Sequence, residues 1–279
     1  GGQNLGNGLL ALIAVLGPGS LLHIELQTSK DESVDSSLWS KPIEVAEEIW
    51  QVIRLATALG IVVVEPAGNG DADLDLFDPV SLSAGYVRIS RAYLGAQDSG
   101  AILVGGSYST EYPPAARWGG VRDGDFDPLG SNYGSRVDRF AWAERVYTCW
   151  YKAVPPVWPY DTDYWGSFNG TSSASAIVSG AVAVALSLAR STAAAAGTTP
   201  AQLRALLVDL ATATVSSDPA RDRIGTMPNL QKYRAGGLTA AFPDLFIRDF
   251  EADTGLAHTT DPATSPDIIA GSLRAKNGR

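Results

Sequence analysis

The segment that decides the fold runs Phe168-Asn169-Gly170-Thr171-Ser172-Ser173-Ala174-Ser175-Ala176-Ile177-Val178-Ser179-Gly180. Small and apolar residues continue from Ser172 to about Ser191, which predicts a helix packed closely inside the domain. A serine in the first turn of a helix lies at the positive end of the helix dipole, where backbone N–H groups can bind an oxyanion. Gly170 would let a substrate backbone approach closely. The pattern therefore indicates a nucleophile or, as the simpler alternative, an N-capped core helix.

A second informative segment runs Ile61-Val62-Val63-Val64-Glu65-Pro66-Ala67-Gly68-Asn69-Gly70. Its β-branched start is typical of a buried parallel strand. The preceding helix carries its apolar residues on one face and ends at Gly60, and Leu21 to Leu26 forms a strand before that helix. Strand, helix and strand at this spacing predict a right-handed βαβ unit. Taken alone, the Gly-Asn-Gly sequence is most simply a turn, because both residue types tolerate positive φ.

Further elements follow along the chain. We expect a short apolar helix over residues 8–16, strands over residues 101–104 and 137–142, and loops over residues 108–130 and 150–165. Thr199-Pro200-Ala201-Gln202 has the spacing of a capping box and opens another helix. This alternation of strands and helices predicts an α/β fold.

Composition excludes several classes of function. The formal net charge is −9 and no basic run occurs, so the sequence disfavours a nucleic-acid partner. No apolar run has the length of a membrane span. The single cysteine, Cys149, cannot form an internal disulfide, and no Cys/His spacing indicates a metal site. Asp71, Asp73 and Asp75 imitate the start of a calcium loop, but Leu82 stands where the closing glutamate is needed. No cofactor is indicated, and a structural calcium ion is not readable from the sequence.

The quoted segments resemble the subtilisin-like serine peptidases, the subtilases. Residues 170–180 resemble the nucleophile motif G-T-S-x-A-x-P followed by V-x-G, with Ala176 in place of the proline. Residues 67–69 resemble the family's A-G-N segment, and residues 131–138 resemble its S-N-Y-G-x-x-V-D turn and strand. Residues 20–27 and 100–107 stand in the places of two further strands. The resemblance covers roughly residues 1–235.

The resemblance implies a three-layer fold, in which helices flank a mostly parallel β-sheet, and a serine endopeptidase that hydrolyses peptide bonds. Ser172 would be the nucleophile, and the side chain of Asn69 would donate to the developing oxyanion. Glu25, Leu26 and Gln27 would pair with an extended peptide as an added strand, although the family usually has Ser-Leu-Gly there. The remaining substrate-binding residues implied by the resemblance are Ala67, Gly68, Gly170 and Thr171.

The same resemblance shows what this sequence lacks. The family's aspartate and its H-G-T histidine would lie upstream of residue 1, and the chain has only two histidines, His23 and His258. His23 aligns with the cleft strand, and His258 lies in the trailing segment. Without a base the serine hydroxyl is a poor nucleophile, so we expect this chain alone to be inactive. A non-catalytic, subtilase-like module that binds peptides remains the alternative.

The predicted organisation is a partial peptidase domain over residues 1–237, followed over residues 238–279 by a linker and the start of a truncated β-rich domain. Family resemblance implies an extracellular or cell-surface protein with a peptide or protein substrate.

Overall fold

The structure, a computed structural model, describes residues 2–28, 40–79, 85–93, 97–108, 117–118, 130–150, 163–191, 199–209 and 213–230. Its strands are β1 (Leu21–His23), β2 (Val62–Pro66), β3 (Ile102–Ser107), β4 (Arg139–Trp142), β5 (Val146–Trp150), β6 (Asp163–Phe168), β7 (Ala213–Val215) and β8 (Thr226–Pro228). Its helices are α1 (Gly2–Val15), α2 (Glu47–Ala58), α3 (Gly170–Ser191), α4 (Pro200–Val208) and α5 (Pro219–Asp222).

A mostly parallel sheet forms the middle layer. The strand order is β1-β2-β3-β4-β8-β7, and only the β7–β8 pair is antiparallel. Side chains of β2 alternate between two apolar clusters, because successive residues of a strand face opposite sides. Val62 and Val64 pack with Ala174 and Val178 of α3, whereas Val63 lies in the cluster of α1 and α2. The predicted three-layer α/β fold is confirmed.

The βαβ unit predicted from the sequence is present. Strands β1 and β2 are parallel neighbours, with Leu21 opposite Val62, and α2 connects them. The predicted apolar face of α2 is buried, with Ile53 and Ala56 almost completely removed from solvent. Gly60 follows the helix with φ +84°, a conformation that glycine adopts without steric cost.

Small residues let α3 lie against the sheet, where it packs on β1 to β4. Among the described helices, its segment Gly170–Ser187 alone has the length and hydropathy of a membrane span, but 61% of that segment is buried inside the fold. The helix is therefore explained as the core helix that the sequence predicted.

Several elements differ from the sequence expectation. Helix α1 begins at Gly2 and not at residue 8, because Leu5 packs on the same cluster as Leu9 and outweighs the low helix propensity of the intervening glycines. The predicted loop over residues 150–165 is wrong at both ends, because Trp150 belongs to β5 and residues 163–165 belong to β6, and these strands form an antiparallel hairpin. The aromatic and β-branched residues of these strands favour a sheet, but the prolines and aromatic residues between Trp150 and Trp165 follow no strand period and so indicated a loop. Residues 151–162 and the predicted segment 238–279 lie outside the described residues.

A buried charge network lies between the sheet and the segment before α2. Arg136 is fully buried, and its guanidinium contacts Glu44 at 2.7 Å and Asp138 at 2.8 Å. Glu65 of β2 is also fully buried, and neither of its carboxyl oxygens accepts a hydrogen bond from any donor in the described part of the chain. Burial, followed by the nearby Glu44 carboxylate, raises the pKa of Glu65 well above its usual range. Glu65 is therefore protonated in the folded chain at pH values where a solvated glutamate is ionised.

This protonated state makes stability depend on pH. The folded chain holds a proton on Glu65 that the unfolded chain releases at lower pH, so the free energy of unfolding falls as pH rises above the usual range of a glutamate. In Glu65→Gln an amide N–H replaces the carboxyl O–H and does not titrate. We expect urea unfolding between about pH 5 and about pH 9 to show a smaller loss of stability in Glu65→Gln than in the unsubstituted chain. Glu48→Gln, on the exposed face of α2, is the control; equal pH dependence of all three proteins would contradict the assignment.

Candidate active site

The candidate site lies at the carboxyl edge of the sheet, where ligands bind in open α/β folds. Residues 67–70 follow β2, and residues 24–27 follow β1. Helix α3 begins beside them at Gly170, so Ser172 lies in its first turn and is half-buried. The N–H groups of a first turn have no acceptor within the helix.

The side chain of Thr171 joins the loop after β2 to the start of α3. Its hydroxyl accepts a hydrogen bond from Gly68 N–H at 3.1 Å and donates to Asn69 Oδ1 at 2.8 Å. Its backbone N–H also donates to Asn69 Oδ1, at 2.8 Å. The fully buried Thr171 therefore holds Asn69 against the residue that precedes Ser172.

These bonds decide which way the Asn69 amide faces. A backbone N–H can only donate, so the atom of Asn69 that faces Thr171 must be the oxygen. The Nδ2 amide then lies at the other end, and in the described part of the chain it makes no hydrogen bond. A donor is thus held in a fixed orientation at the N-terminus of α3.

Two positions in the site require glycine. Gly68 has φ +93°, and a Cβ atom there would overlap the carbonyl oxygen of Ser40. Gly170 has φ +82°, and its Cβ would lie 3.0 Å from Asn69 Nδ2. Both residues allow close backbone contact that an L side chain would block.

The side chain of Asn132 forms hydrogen bonds with the loop that follows β2. Its Nδ2 donates to the carbonyl oxygens of Ala67 at 2.7 Å and Ser40 at 2.6 Å, and its Oδ1 accepts from Ala72 N–H at 2.9 Å. Sequence reasoning placed Asn132 in a family turn but gave it no part in the site. The signal that could have identified Asn132 as a site residue was its position in the S-N-Y-G segment.

In the segment that follows β1, residues 24–27, Gln27 contacts the candidate site, whereas Glu25 and Leu26 are exposed. Ile24 N–H still bonds Val64 O at 2.9 Å, Glu25 and Leu26 are exposed, and β1 pairs with β2 alone among the described strands. Gln27 forms an isolated antiparallel bridge with Pro42, and its Oε1 accepts from Asn69 N–H at 2.8 Å. The side chain of Gln27 thus positions the asparagine.

No described histidine bonds Ser172. His23 Nε2 lies 2.9 Å from the hydroxyl of Ser175, one helical turn further along α3. His258 lies outside the described residues. In the part of the chain that the structure describes, the site therefore combines a serine and an amide donor without an imidazole at the serine.

The aspartates after the site do not form a cation cage. Arg223 pairs with both Asp73 and Asp75, and Asp75 also accepts hydrogen bonds from Ser90 and Ser135. Within the described ranges, no group of three or more His, Cys, Asp or Glu side chains is arranged to hold a metal ion.

The family model Peptidase_S8, the subtilase family, matches residues 15–227. The chain belongs to the subtilase family. Similar solved structures include a cold-adapted subtilisin-like serine proteinase, with 18% identity and a TM-score of 0.50 over 81% of this chain and 60% of that one. Another is the A subunit of the AB5 toxin from E. coli, with 18% identity and a TM-score of 0.52 over 83% of this chain and 66% of that one. A search of curated proteins found no match.

These similarities establish the fold of this subtilase and its family. The chain spans 60% and 66% of the lengths of the two structures. At such low identity the likeness shows the shared architecture only, so the roles of individual residues depend on the geometry described above.

The hydrogen bonds between Thr171 and the loop after β2 can be tested by removing only the Thr171 hydroxyl group. Thr171→Val keeps the shape but leaves the buried Gly68 N–H without an acceptor, which costs about 1–3 kcal/mol. We expect chemical denaturation to show this loss for Thr171→Val and a smaller loss for Thr171→Ser, which retains the hydroxyl. Equal losses in the two variants would mean that the methyl group contributes as much to stability as the hydrogen bonds of the hydroxyl.

Proposed function

We propose that this subtilase chain carries the nucleophile half of a serine endopeptidase site. Ser172 attacks the carbonyl carbon of a peptide, and the Ser172 N–H and Asn69 Nδ2 bind the oxyanion that forms. The observation that supports this most strongly is the orientation of Asn69. Its oxygen is occupied by Thr171, so its amide donor is available beside the first turn of α3.

The substrate in this proposal is an extended peptide or protein segment. It lies along Glu25 and Leu26, which are exposed beside the loop of residues 67–69. Gly68 and Gly170 belong to the proposed site indirectly, because the space beside their Cα atoms is filled by Ser40 and Asn69 and not left open to a peptide. Ala67 and Thr171 are completely buried, so any contribution of their side chains to substrate binding is indirect. An extracellular or cell-surface location belongs to the same proposal, and membership of the subtilase family supports it.

The proton acceptor is the missing part of the proposed mechanism. Because His23 is engaged with Ser175, we propose that a histidine outside these 279 residues supplies the base. A subtilase-like module that only binds peptides is the alternative, and the lack of a described imidazole at Ser172 favours it. The residues encoded before Gly1 distinguish the two, since an H-G-T segment there supports the peptidase.

Reactivity of Ser172 tests the missing base. We expect the isolated chain to react poorly with a fluorophosphonate probe and to hydrolyse peptides little, because oxyanion stabilisation and binding alone leave a residual rate of about 10³–10⁴ over water. A chain extended by a segment that carries the proposed histidine, termed the full-length protein, should be labelled faster by orders of magnitude, and Ser172→Ala should abolish this labelling. Robust hydrolysis by the chain alone that survives Ser172→Ala would show that the site is elsewhere. A full-length protein that is not labelled would support the binding module.

Substitution of Asn69 separates its two ends. Asn69→Asp keeps an acceptor for both Thr171 bonds but loses the amide donor, whereas Asn69→Ala loses both. In the full-length protein we expect either variant to lower kcat by at least about 10²–10³ with little change in KM, because the donor acts mainly in the transition state. Stability should fall more in Asn69→Ala than in Asn69→Asp. Near-normal kcat in Asn69→Asp would remove Asn69 from the oxyanion site.

A further inference from the structure

His23 faces helix α3 from the end of β1. Alternation along the strand sets this direction, because Leu21 packs on the cluster that contains α3 whereas Leu22 and Ile24 lie in the cluster of α1 and α2. His23 therefore shares the side of Leu21. Its half-buried imidazole reaches the buried Ser175, 152 positions away in the sequence.

Two hydrogen bonds connect His23 to the backbone of the candidate nucleophile. His23 Nε2 lies 2.9 Å from Ser175 Oγ, and Ser175 Oγ lies 2.9 Å from the carbonyl oxygen of Ser172. A carbonyl oxygen only accepts, so the single hydroxyl hydrogen of Ser175 is donated to Ser172. His23 Nε2 must then carry a hydrogen and donate it to Ser175.

We propose that His23 is a positioning residue that holds the first turn of α3 through Ser175 and so fixes the place of Ser172. This proposal rests on the proposed function, because a fixed position of Ser172 matters when Ser172 takes part in a reaction. A serine hydroxyl that bonds back to its own helix tends to bend that helix, and the donated bond from His23 fixes the hydroxyl in one rotamer. The carbonyl of Ser172, and with it the nucleophile's backbone, is then tied to β1.

The same geometry excludes His23 from acting as the base through Nε2. That nitrogen already holds a proton and faces Ser175, so it cannot accept one from Ser172. Burial lowers the pKa of His23, and the Glu25 carboxylate opposes this change. Nε2 donates in the neutral tautomer and in the imidazolium alike, so the bond to Ser175 survives either state.

Nuclear magnetic resonance can read the hydrogen bond without any catalysis. The chain has only two histidines, so labelling histidine with ¹⁵N gives a simple spectrum that His258→Gln assigns. We expect long-range ¹H–¹⁵N correlations to show His23 locked as the Nε2–H tautomer. Ser175→Ala should release it to a mixture of tautomers. Ser187→Ala is the matched control, because Ser187 also bonds back to its own helix, at 2.9 Å, but on an exposed face. An Nδ1–H tautomer, or no change in Ser175→Ala, would overturn the proposal.

Labelling of Ser172 in the full-length protein then tests the catalytic consequence. His23→Leu removes the donor, and we expect the fluorophosphonate labelling rate to fall about 10- to 100-fold, as a misplaced reacting group does. His23→Gln retains an N–H of similar reach and should restore most of the rate, with both variants folded by circular dichroism. Equal rates in the two variants would overturn the positioning role. If the unsubstituted protein is not labelled while its His23 tautomer is locked, the proposed function fails and the hydrogen bond stands.

Discussion

The hydrogen bonds of Thr171 hold the candidate site together, because they join two segments that are about a hundred positions apart. Gly68 donates to the Thr171 hydroxyl, and Asn69 accepts from both the hydroxyl and the backbone N–H of Thr171. Bonds of this length need the start of α3 to lie directly against the end of β2. That approach in turn depends on the small side chains of the helix, since Ala174 and Val178 pack on the same cluster as Val64. The packing of α3 on the sheet therefore also determines how close Thr171 lies to the loop after β2.

The sequence predicted those parts of the fold whose signal is local. The β-branched run of β2, the apolar face of α2 and the capping box before α4 each carry their own pattern. In the capping box, Thr199 and Gln202 exchange hydrogen bonds as the spacing predicted. The hairpin of β5 and β6 was not predicted, because the prolines and aromatic residues between Trp150 and Trp165 follow no strand period in the sequence. The buried Arg136 and Glu65 have no local signature, since Glu44, which interacts with both of them, lies in a distant segment.

For the candidate site, too, the sequence predicted which residues lie there but not which partners their side chains bind. Family order placed Asn69 near Ser172, and the structure brings Asn69 to the neighbouring Thr171. The family resemblance assigned Gln27 to the substrate together with Glu25 and Leu26. In the structure the Gln27 side chain bonds the backbone N–H of Asn69, while its two predecessors remain exposed. A side chain of this length chooses its partner by tertiary geometry, which a linear motif does not record.

Asparagine at position 69 allows the requirements of the hydrogen bonds with Thr171 to be distinguished from those of the proposed chemistry. The two bonds with Thr171 require only an acceptor, and an aspartate carboxylate would supply it. A carboxylate at the N-terminus of a helix would also be stabilised by the helix dipole and would form stronger, charge-assisted hydrogen bonds. Structure alone therefore favours aspartate at this position. An amide adds one property, an N–H donor at the end that faces away from Thr171, and such a donor would stabilise the oxyanion of the proposed reaction at Ser172.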